Sequence, residues 1–447
     1  MKQQKIVQRL LENNYECFLV GGAVRDGLLG IIPNDFDYAT NARPEQVIKI
    51  FPDKKINVVG KRFKVVFVED IQIATYREDV QHEYYDARHC IPKYADSIYT
   101  DLKRRDLTIN SMAINMETNE FIDLFGGKED LSEGIIRFVG NPEDRLKEDP
   151  DRCLRACRFL AKISGKFAPE TLEVLVKRAD YIKYVDPERI RLEIMKALEY
   201  DTPSLFFSAL QLVGVLKFIF PALADCFNHT GGKYHPETLS DHCLSACDNI
   251  SPKFILLRLA AVLHDIGKVT AWNPNTGSFI DHETIGGKLV KQYLRKLKFS
   301  NEEILMVSNL THAHMRTCRG LQPKSQRRLQ KYLADYNVNP RDYIRLKLAD
   351  RQANLRNGPN KPTPIKELIL NSGIRGSNEP LPLTVRDLAI TGGQLIGEFK
   401  LNPGPLVGKL QKALLEFVIE EGEEFNTFDK LKDQAAVLLA LPALLFK

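Results

Sequence analysis

Two carboxylates one residue apart, Asp35 and Asp37, follow Gly21-Gly22 and Arg25 in the segment FLVGGAVRDGLLGIIPNDFDYAT. If Asp35-Phe36-Asp37 opens a strand, its two-residue period puts both carboxylates on one face and Phe36 on the other. Such a pair can share Mg²⁺, a hard cation that prefers oxygen ligands and bridges to substrate phosphates. The bare glycine backbone at a helix start can approach a triphosphate, and Arg25 on that helix can neutralise it. A lone DxD is more often a solvated strand end. A strand, turn, helix and strand within one short segment make the metal-triphosphate chemistry the stronger reading.

A second concentration of chemistry lies further on. Of nine histidines, seven (His229, His235, His242, His264, His282, His312 and His314) fall between residues 229 and 314. Clustering of this degree suggests metal binding, because imidazole is the commonest protein ligand for transition metals.

The elements that must position these groups change character along the chain. Up to about residue 138, short β-rich runs (Phe18 to Val20, Lys64 to Val68, Ile71 to Thr75, Phe121 to Leu124) alternate with turn signals such as Pro33-Asn34 and Gly126-Gly127. From about residue 141 helical periods take over, as in Arg152 to Ile163, Pro169 to Ala179, Pro187 to Tyr200 and Leu205 to Leu216. Breaks rich in Gly, Pro and Asn near 228–236 and 356–364 suggest boundaries close to 225 and 360. The chain has 447 residues, 44% hydrophobic and 27% charged, which excludes disordered, collagen-like and coiled-coil classes. Its net charge of +5 is too small to argue nucleic-acid binding globally. None of the eight cysteines forms a CxxC pair, so reduced buried thiols are expected rather than a zinc knuckle or a disulfide framework. The first ten residues lack the apolar core of a signal peptide, and the longest apolar run, 435–446, falls short of a membrane span. A cytoplasmic protein with no membrane association is expected.

GGAVRDGLLG followed by DFD resembles the head of the class II CCA-adding enzymes and bacterial poly(A) polymerases, nucleotidyltransferases related to DNA polymerase β. Four further segments resemble that family's motifs in family order. They are DLKRRDLTIN (101–110, ribose recognition), DLFGGKEDL (123–131, hinge), EDPDRCLRACRF (148–159, base recognition) and ERIRLEIMKAL (188–198, neck). The resemblance implies an α+β fold: a polymerase β-like nucleotidyltransferase head with a mixed sheet at 1–138, then a helical neck with the base-recognition helix at 139–225. An HD domain at 226–360 and a helical, tRNA-binding tail at 361–447 would complete the chain.

Under this resemblance Asp35 and Asp37 hold catalytic Mg²⁺, while Gly21, Gly22 and Arg25 meet the triphosphate together with Arg104 and Arg105. Asp106 and Asn110, four residues apart, could face a ribose hydroxyl. Asp149 and Arg152 stand three apart and would share a helix face, offering an acceptor beside a donor. Cytosine and adenine both present an amino donor next to a ring-nitrogen acceptor, so this pair should accept C and A and reject U and G. Arg155 and Arg158 could contact phosphates or pair with acids of the neck. Where the family commonly has a third carboxylate, this chain has Gln72, leaving Glu69, Asp70 or no third carboxylate. The stretch 77–100, with YYDARHCIPKYADSI, resembles the full-length flexible loop of enzymes that complete CCA, with Cys90 where Pro is usual.

His242, the His264-Asp265 dipeptide, His282 and Asp350, in that order, resemble the HD superfamily of metal-dependent phosphohydrolases. That resemblance implies a site of His242, His264, Asp265 and Asp350 for Mn²⁺, Ni²⁺ or a similar divalent metal. Residues 316–356 hold eleven basic and three acidic side chains, which beside a transferase head suggests a patch for a tRNA backbone. LNPGPLVGKL (401–410) resembles the body of HD-containing CCA enzymes, where a Gly-Pro turn would start a helix. The expected function is template-independent addition or repair of the tRNA 3′-CCA from CTP and ATP, with a metal-dependent phosphohydrolase domain. The alternatives are an A-adding tRNA enzyme, a poly(A) polymerase, or chiefly an HD phosphohydrolase.

Overall fold

The structure, a computed structural model, describes residues 2–33, 35–60, 65–80, 91–229, 237–317, 322–354 and 384–440. Part of the loop motif with Cys90, together with His235, Cys318, Arg319, Arg356 and the boundary expected near 360, lies outside them. The chain forms two units, Met1–Ala224 with Lys296–Lys298, and Asp225–Arg295 with Phe299–Lys447. Helices and strands that bear on the sites are numbered below, and others are given by range.

The first unit is built on a seven-stranded mixed sheet. Its strands are β1 (Phe18–Val20), β2 (Asp37–Thr40), β3 (Ile56–Val59), β4 (Val65–Val68), β5 (Ile71–Thr75), β6 (Met112–Asn115) and β7 (Phe121–Asp123), in the order β3-β4-β5-β2-β1-β6-β7. Only β2 and β5 run parallel, with Asp37 opposite Gln72. The two-residue period sends Tyr38 and Ile73 to one core with Val47, Phe51 and Leu10, and sends Phe18, Val20 and Ala39 to another with Tyr76, Ile98 and Leu102. Each large apolar side chain sealed in these layers contributes roughly 1.5–3 kcal/mol. Asp37 stands two residues before Ala39, on the same face, and is the first residue of β2, the central strand of the sheet.

Gly21 makes the turn from β1 into helix α1 (Gly22–Leu28) at φ 68, a conformation that favours glycine. A Cβ there would meet Arg105 Nη1 at 3.0 Å, so the bare backbone is also what lets that guanidinium approach. Helix α2 (Pro142–Glu148) starts on an Asn141 cap with Pro142 in its first turn, and α3 (Arg152–Ile163) ends at Ser164 in the left-handed region. Helix α4 (Pro187–Ala197) packs against α3.

The second unit is helical apart from one short hairpin, Trp272–Asn273 with Ser278–Phe279, among the described residues. Helix α5 (Leu239–Asp248) is capped by Thr238, and α6 (Ile255–Leu263) is apolar nearly all round, as a central helix must be. Around them stand α7 (His282–Lys296), α8 (Asn301–Ala313), whose start is a Ser300/Glu303 capping box, and α9 (Pro340–Ala353), capped by Asn339. Three tail helices, Gly392–Phe399, Pro405–Glu421 and Phe428–Ala440, close on Leu395, Leu410, Leu414 and Leu431. The helix at Pro405 begins directly after Gly404, as the Gly-Pro turn predicts.

Candidate functional site

In the first unit, a cleft of about 890 Å³ gathers residues from β1, α1, β2, β5, the 104–110 segment, α2, α3 and α4. Gly21, Gly22, Arg25, Asp35, Asp37, Arg105, Asp106, Asn110, Asp149, Arg152, Arg155 and Arg158 all line it. Asp35 is exposed and Asp37 half-buried. Burial pushes the Asp37 carboxyl up, Arg105 opposes this and Asp35 adds to it, so two like charges crowd a partly desolvated spot. Hard oxygen donors under that stress fit a divalent cation such as Mg²⁺.

The neighbour of Asp37 on the parallel strand is Gln72, and it too lines the cleft. Glu69 sits in the β4–β5 turn at φ 58 and pairs with Lys54 at 3.1 Å. Neither Glu69 nor Asp70 lines the cleft.

Behind the carboxylates lies a buried polar chain. Arg25 donates to Asn110 Oδ1 and pairs with Asp26, with its guanidinium 4.7 Å from the Phe159 ring centroid. Asn110 Nδ2 donates to Asp106 Oδ1 at 3.2 Å, and Arg155 pairs with Asp106 Oδ2 at 2.6 Å. Burial alone would raise the Asp106 carboxyl, but Arg155, Arg152 and Asn110 outweigh it and hold the group well below the usual carboxylate range. Arg104 and Arg105 are both anchored on buried Asp101. Arg158 is held by Glu193 and by the Tyr200 hydroxyl at 2.6 Å. Arg158 thus pairs with an acid of the neck, whereas Arg155 pairs with Asp106 of the head.

The base-recognition segment departs from the sequence expectation. Asp149 and Arg152 do not lie on one continuous helix. Helix α2 ends at Glu148, Asp149 is extended (φ −150, ψ 101), and α3 starts at Arg152. The cause is Pro150, which has no N–H to donate and disfavours helical backbone in the residue before it. The break still leaves both side chains in the cleft, each with its own anchor. Arg189 on α4 grips both Asp149 oxygens (3.0 and 2.8 Å) and reaches Asp151 Oδ2 at 2.7 Å. Arg152 binds Glu148 Oε2 and donates to the Arg145 and Arg104 carbonyls at 3.2 and 3.1 Å. Burial pushes Asp151 up to about 6, with Asp149 and Glu193 adding to the shift and Arg189 and Arg155 opposing it.

The second unit brings its six chemistry-bearing residues together. His242 comes from α5, His264-Asp265 from the turn after α6, His282 from the first position of α7, His314 from the end of α8 and Asp350 from α9. Gly267 permits this, since a Cβ there would stand 2.1 Å from the His282 carbonyl oxygen. His242 Nε2 lies 3.0 Å from Asp350 Oδ1, and His264 Nε2 lies 3.3 Å from Asp265 Oδ2. Lys268 Nζ meets Asp265 Oδ2 at 2.5 Å. All four histidines and Asp265 are buried. Asp350, which is only partly buried, is held well below the usual carboxylate range by the His242 bond, Lys347 and His264, whereas burial pushes His314 down to about 4. Both groups are therefore in the ligating form at neutral pH. His264 Nδ1 is bound to the Ala261 carbonyl at 2.7 Å, while His264 Nε2 and Asp265 Oδ1 have no hydrogen-bond partner. Sealed, unsatisfied nitrogen and oxygen donors of this kind fit a borderline divalent metal.

Three family models match consecutive parts of the chain: a poly A polymerase head domain over 17–137, a probable RNA and SrmB-binding site of polymerase A over 166–227, and an HD domain over 232–355. The chain thus contains a poly A polymerase head domain, a polymerase A RNA-binding region and an HD domain, and its relatives are CCA-adding enzymes and bacterial poly(A) polymerases. Relatives in this family include poly(A) polymerase I of Salmonella typhimurium, 37% identical over 51% of each chain. The CCA-adding enzyme of Geobacillus stearothermophilus is 39% identical over 43% of this chain and 48% of its own. The matches thus span about half the length of the curated relatives. The Bacillus stearothermophilus CCA-adding enzyme in complex with CTP shares the fold over 98% of this chain and 97% of its own, with TM-score 0.66 and 23% identity. A Thermotoga maritima CCA-adding enzyme complexed with tRNA aligns with TM-score 0.56 and 20% identity.

Within this family framework, several site residues carry no motif signal of their own. Arg189 lies in the neck motif, Glu148 opens the base-recognition motif and Asp101 opens the ribose motif, and each acts by anchoring a neighbouring charged side chain. Lys268 and His314 complete the HD cluster, and the only sequence hint of them was the density of histidines and the Lys three residues after Asp265. The basic run is less available than its count suggests. Arg327 donates to the Ile419 and Glu420 carbonyls, Lys324 and Arg328 pair with the Glu420 carboxylate, and Lys331, Arg345 and Lys347 pair with nearby aspartates. No helix among the described residues is long and apolar enough to cross a membrane.

Proposed function

We propose that this chain is a template-independent tRNA nucleotidyltransferase that adds or repairs the 3′-terminal CCA in the cytoplasm, using CTP and ATP, and carries a separate metal-dependent phosphohydrolase centre. The observation that carries the reading is the cleft, which places a carboxylate pair, anchored arginines and the Asp149/Arg152 pair around one space. Mg²⁺ bound by Asp35 and Asp37 would lower the charge on the α-phosphate under attack by the RNA 3′-hydroxyl. Arg104 and Arg105, both splayed from Asp101, suit the triphosphate, with Gly21-Gly22 leaving it room. The Asp106/Asn110 couple suits the ribose hydroxyls. Asp149 spends part of its acceptor capacity on Arg189 and keeps the rest for an exocyclic amino group, while Arg152, fixed by Glu148 and two carbonyls, presents a guanidinium to the ring nitrogen. Uracil and guanine would set carbonyl against carboxylate and N–H against guanidinium, which leaves buried groups unpaired and costs about 1–3 kcal/mol for each mismatch.

The HD cluster would hold its metal on His242, His264, Asp265 and Asp350. That metal would supply an activated water for phosphoester hydrolysis. A poly(A) polymerase remains the second reading, because relatives at 37% identity carry that name. The test is to incubate the chain with tRNA lacking CCA, ending in C, or ending in CC, with each nucleotide separately, and to sequence the 3′ ends. CTP-dependent completion followed by a single A supports CCA addition. Long A tails with no C addition support poly(A) synthesis, and A addition confined to tRNA ending in CC supports the A-adding alternative.

A further inference from the structure

The base-selecting end of the cleft in the first unit holds more anion than cation. Arg189 on α4 is one guanidinium set between two carboxylates. Its Nη1 donates to Asp149 Oδ1 at 3.0 Å, and its Nη2 donates to Asp149 Oδ2 at 2.8 Å and to Asp151 Oδ2 at 2.7 Å. The neighbouring arginines are committed to other acids, Arg155 to Asp106 and Arg158 to Glu193. Asp151 stands at the start of α3, where an aspartate ordinarily accepts from the N–H groups of the first turn, yet it makes no such bond. Its carboxylate is spent on Arg189 instead, and its own backbone N–H donates to Asp149 Oδ1 at 3.2 Å. The two acids are therefore tied together twice, through the main chain and through the guanidinium.

One oxygen is left over. Asp151 is 4% exposed, and its Oδ1 has no hydrogen-bond partner. A sealed carboxylate oxygen without a donor is costly as an anion and is relieved by a proton. The charged groups that bear on it are Asp149 on its own segment, Arg155 on α3, and Arg189 and Glu193 on α4. Burial, Asp149 and Glu193 disfavour the anion, Arg189 and Arg155 favour it, and the balance lies at about 6. A proton taken from solvent goes to Oδ1, the oxygen that Arg189 does not hold. Asp151 then competes less well for Arg189, because a hydrogen bond to an ionised partner is roughly twice as strong as one to a neutral partner. Arg189 serves Asp149 almost alone, and a more fully neutralised Asp149 is a poorer acceptor.

We propose that Asp151 is a positioning residue for base selection: by sharing Arg189 with Asp149 it lets that arginine orient the Asp149 carboxylate without neutralising it, which keeps Asp149 a strong acceptor for the exocyclic amino group of cytosine or adenine. Protonation of Asp151 hands Arg189 to Asp149 and weakens the selection. The proposal rests on the reading of Asp149 and Arg152 as the base-selecting pair, and the test separates the two.

The full chain is given CTP and UTP in competition on tRNA lacking CCA, between about pH 5 and 7.5. The incorporation ratio cancels the ionisation of the triphosphate and of the RNA 3′-hydroxyl, which both nucleotides share. The preference for CTP is expected to rise roughly 2- to 10-fold, the worth of one strengthened hydrogen bond, as pH rises through about 6. Asp151→Asn, which keeps the shape and cannot ionise, is expected to hold one ratio throughout, close to that of the parent at the acid end. A merely structural role would lower both incorporations together and leave the parent ratio flat. A flat parent ratio, or an Asp151→Asn chain whose ratio still climbs, overturns the proposal, while the reading of Asp149 stands as long as Asp149→Ala relaxes discrimination. A chain that adds neither nucleotide, or an Asp149→Ala variant as selective as the parent, overturns that reading and the proposal with it. Where Asp151→Asn gives no cooperative melt, Asp151→Leu takes its place with the same expectation, and a flat parent ratio is decisive whatever the variants do.

Discussion

The cleft of the first unit and the histidine cluster of the second both concentrate charge, and they neutralise it in opposite ways. In the cleft nearly every cation already has an anion: Arg25 has Asp26, Arg104 and Arg105 have Asp101, Arg155 has Asp106, and Arg189 has Asp149 and Asp151. The exception is the Asp35/Asp37 pair, which stands partly open to solvent. In the cluster His264 Nε2 and Asp265 Oδ1 are sealed and unpartnered. A pre-paired, wet cleft suits a large polyanion that borrows partners from an existing network. A dry pocket of lone pairs suits a small desolvated cation. Charge density alone would not have told them apart; the pairing and the burial do.

The largest effect expected from breaking this contrast is at the open pair. Asp35→Ala or Asp37→Ala removes a metal ligand worth several kcal/mol in the transition state, which is roughly a 10³-fold loss of nucleotide addition. Affinity for tRNA should stay within a few-fold, because backbone contacts lie elsewhere. Single-turnover incorporation and filter binding check the two halves of this statement.

Next comes Asp149→Ala, which should relax discrimination against U and G by about 10- to 100-fold, the range of one well-made base-edge contact. Triphosphate affinity should change less. Arg189→Ala should relax discrimination in the same direction but by a smaller factor, since Arg189 holds both Asp149 oxygens and its loss leaves the carboxylate in place but less well oriented. Competition assays with mixed nucleotides read both, and an Arg189 variant as selective as the parent would remove it as a positioning residue.

The smallest effect is a stability slope. Burial raises Asp151 to about 6, against roughly 3.9 for a free aspartate. A raised acid pKa favours the protonated form in the folded state, so the stabilisation is complete below pH ~4 and is lost as pH rises through about 6. That window is worth on the order of 1–3 kcal/mol for the first unit, and Asp151→Asn should flatten it. Melting curves of parent and variant between pH 4 and 7 make the comparison, and identical slopes would contradict it.

The first strand, the glycine turn and the helix could be read from residues 18–28 because each is a local signal, whereas the second strand opens only at Asp37, so Asp35 precedes it and the two-residue period does not place the pair on one face. The gathering of His242, His264, Asp265 and Asp350 in one place was legible through histidine density and order. Helical spacing does not hold for Asp149 and Arg152, because Pro150 interrupts the helix between them. Arg189, Glu148 and Asp101 were missed for another reason. The pairing of Arg189 with Asp149 spans 40 residues and exists only after α3 and α4 have packed, so it leaves no periodic trace, whereas Asp101 and Glu148 pair with arginines three and four residues away, a spacing that by itself does not tell a site anchor from a surface ion pair. The convergence of the histidines on Asp265 is likewise a product of packing: Gly267 lets the His282 backbone approach, and backbone carbonyls hold the His264, His282 and His314 rings.

The central claim is that these are two centres with separate chemistry in one chain. The most direct test crosses two double variants, Asp35→Asn/Asp37→Asn and His264→Ala/Asp265→Ala, against two assays. One is Mg²⁺-dependent addition of C and A to tRNA, and the other is Mn²⁺- or Ni²⁺-stimulated hydrolysis of a phosphomonoester or a 2′,3′-cyclic phosphate, each run on protein whose melting matches the parent. The account predicts a double dissociation: the first variant loses addition and keeps hydrolysis, and the second loses hydrolysis and keeps addition. Loss of nucleotide addition in a His264→Ala/Asp265→Ala chain that still melts like the parent would contradict it.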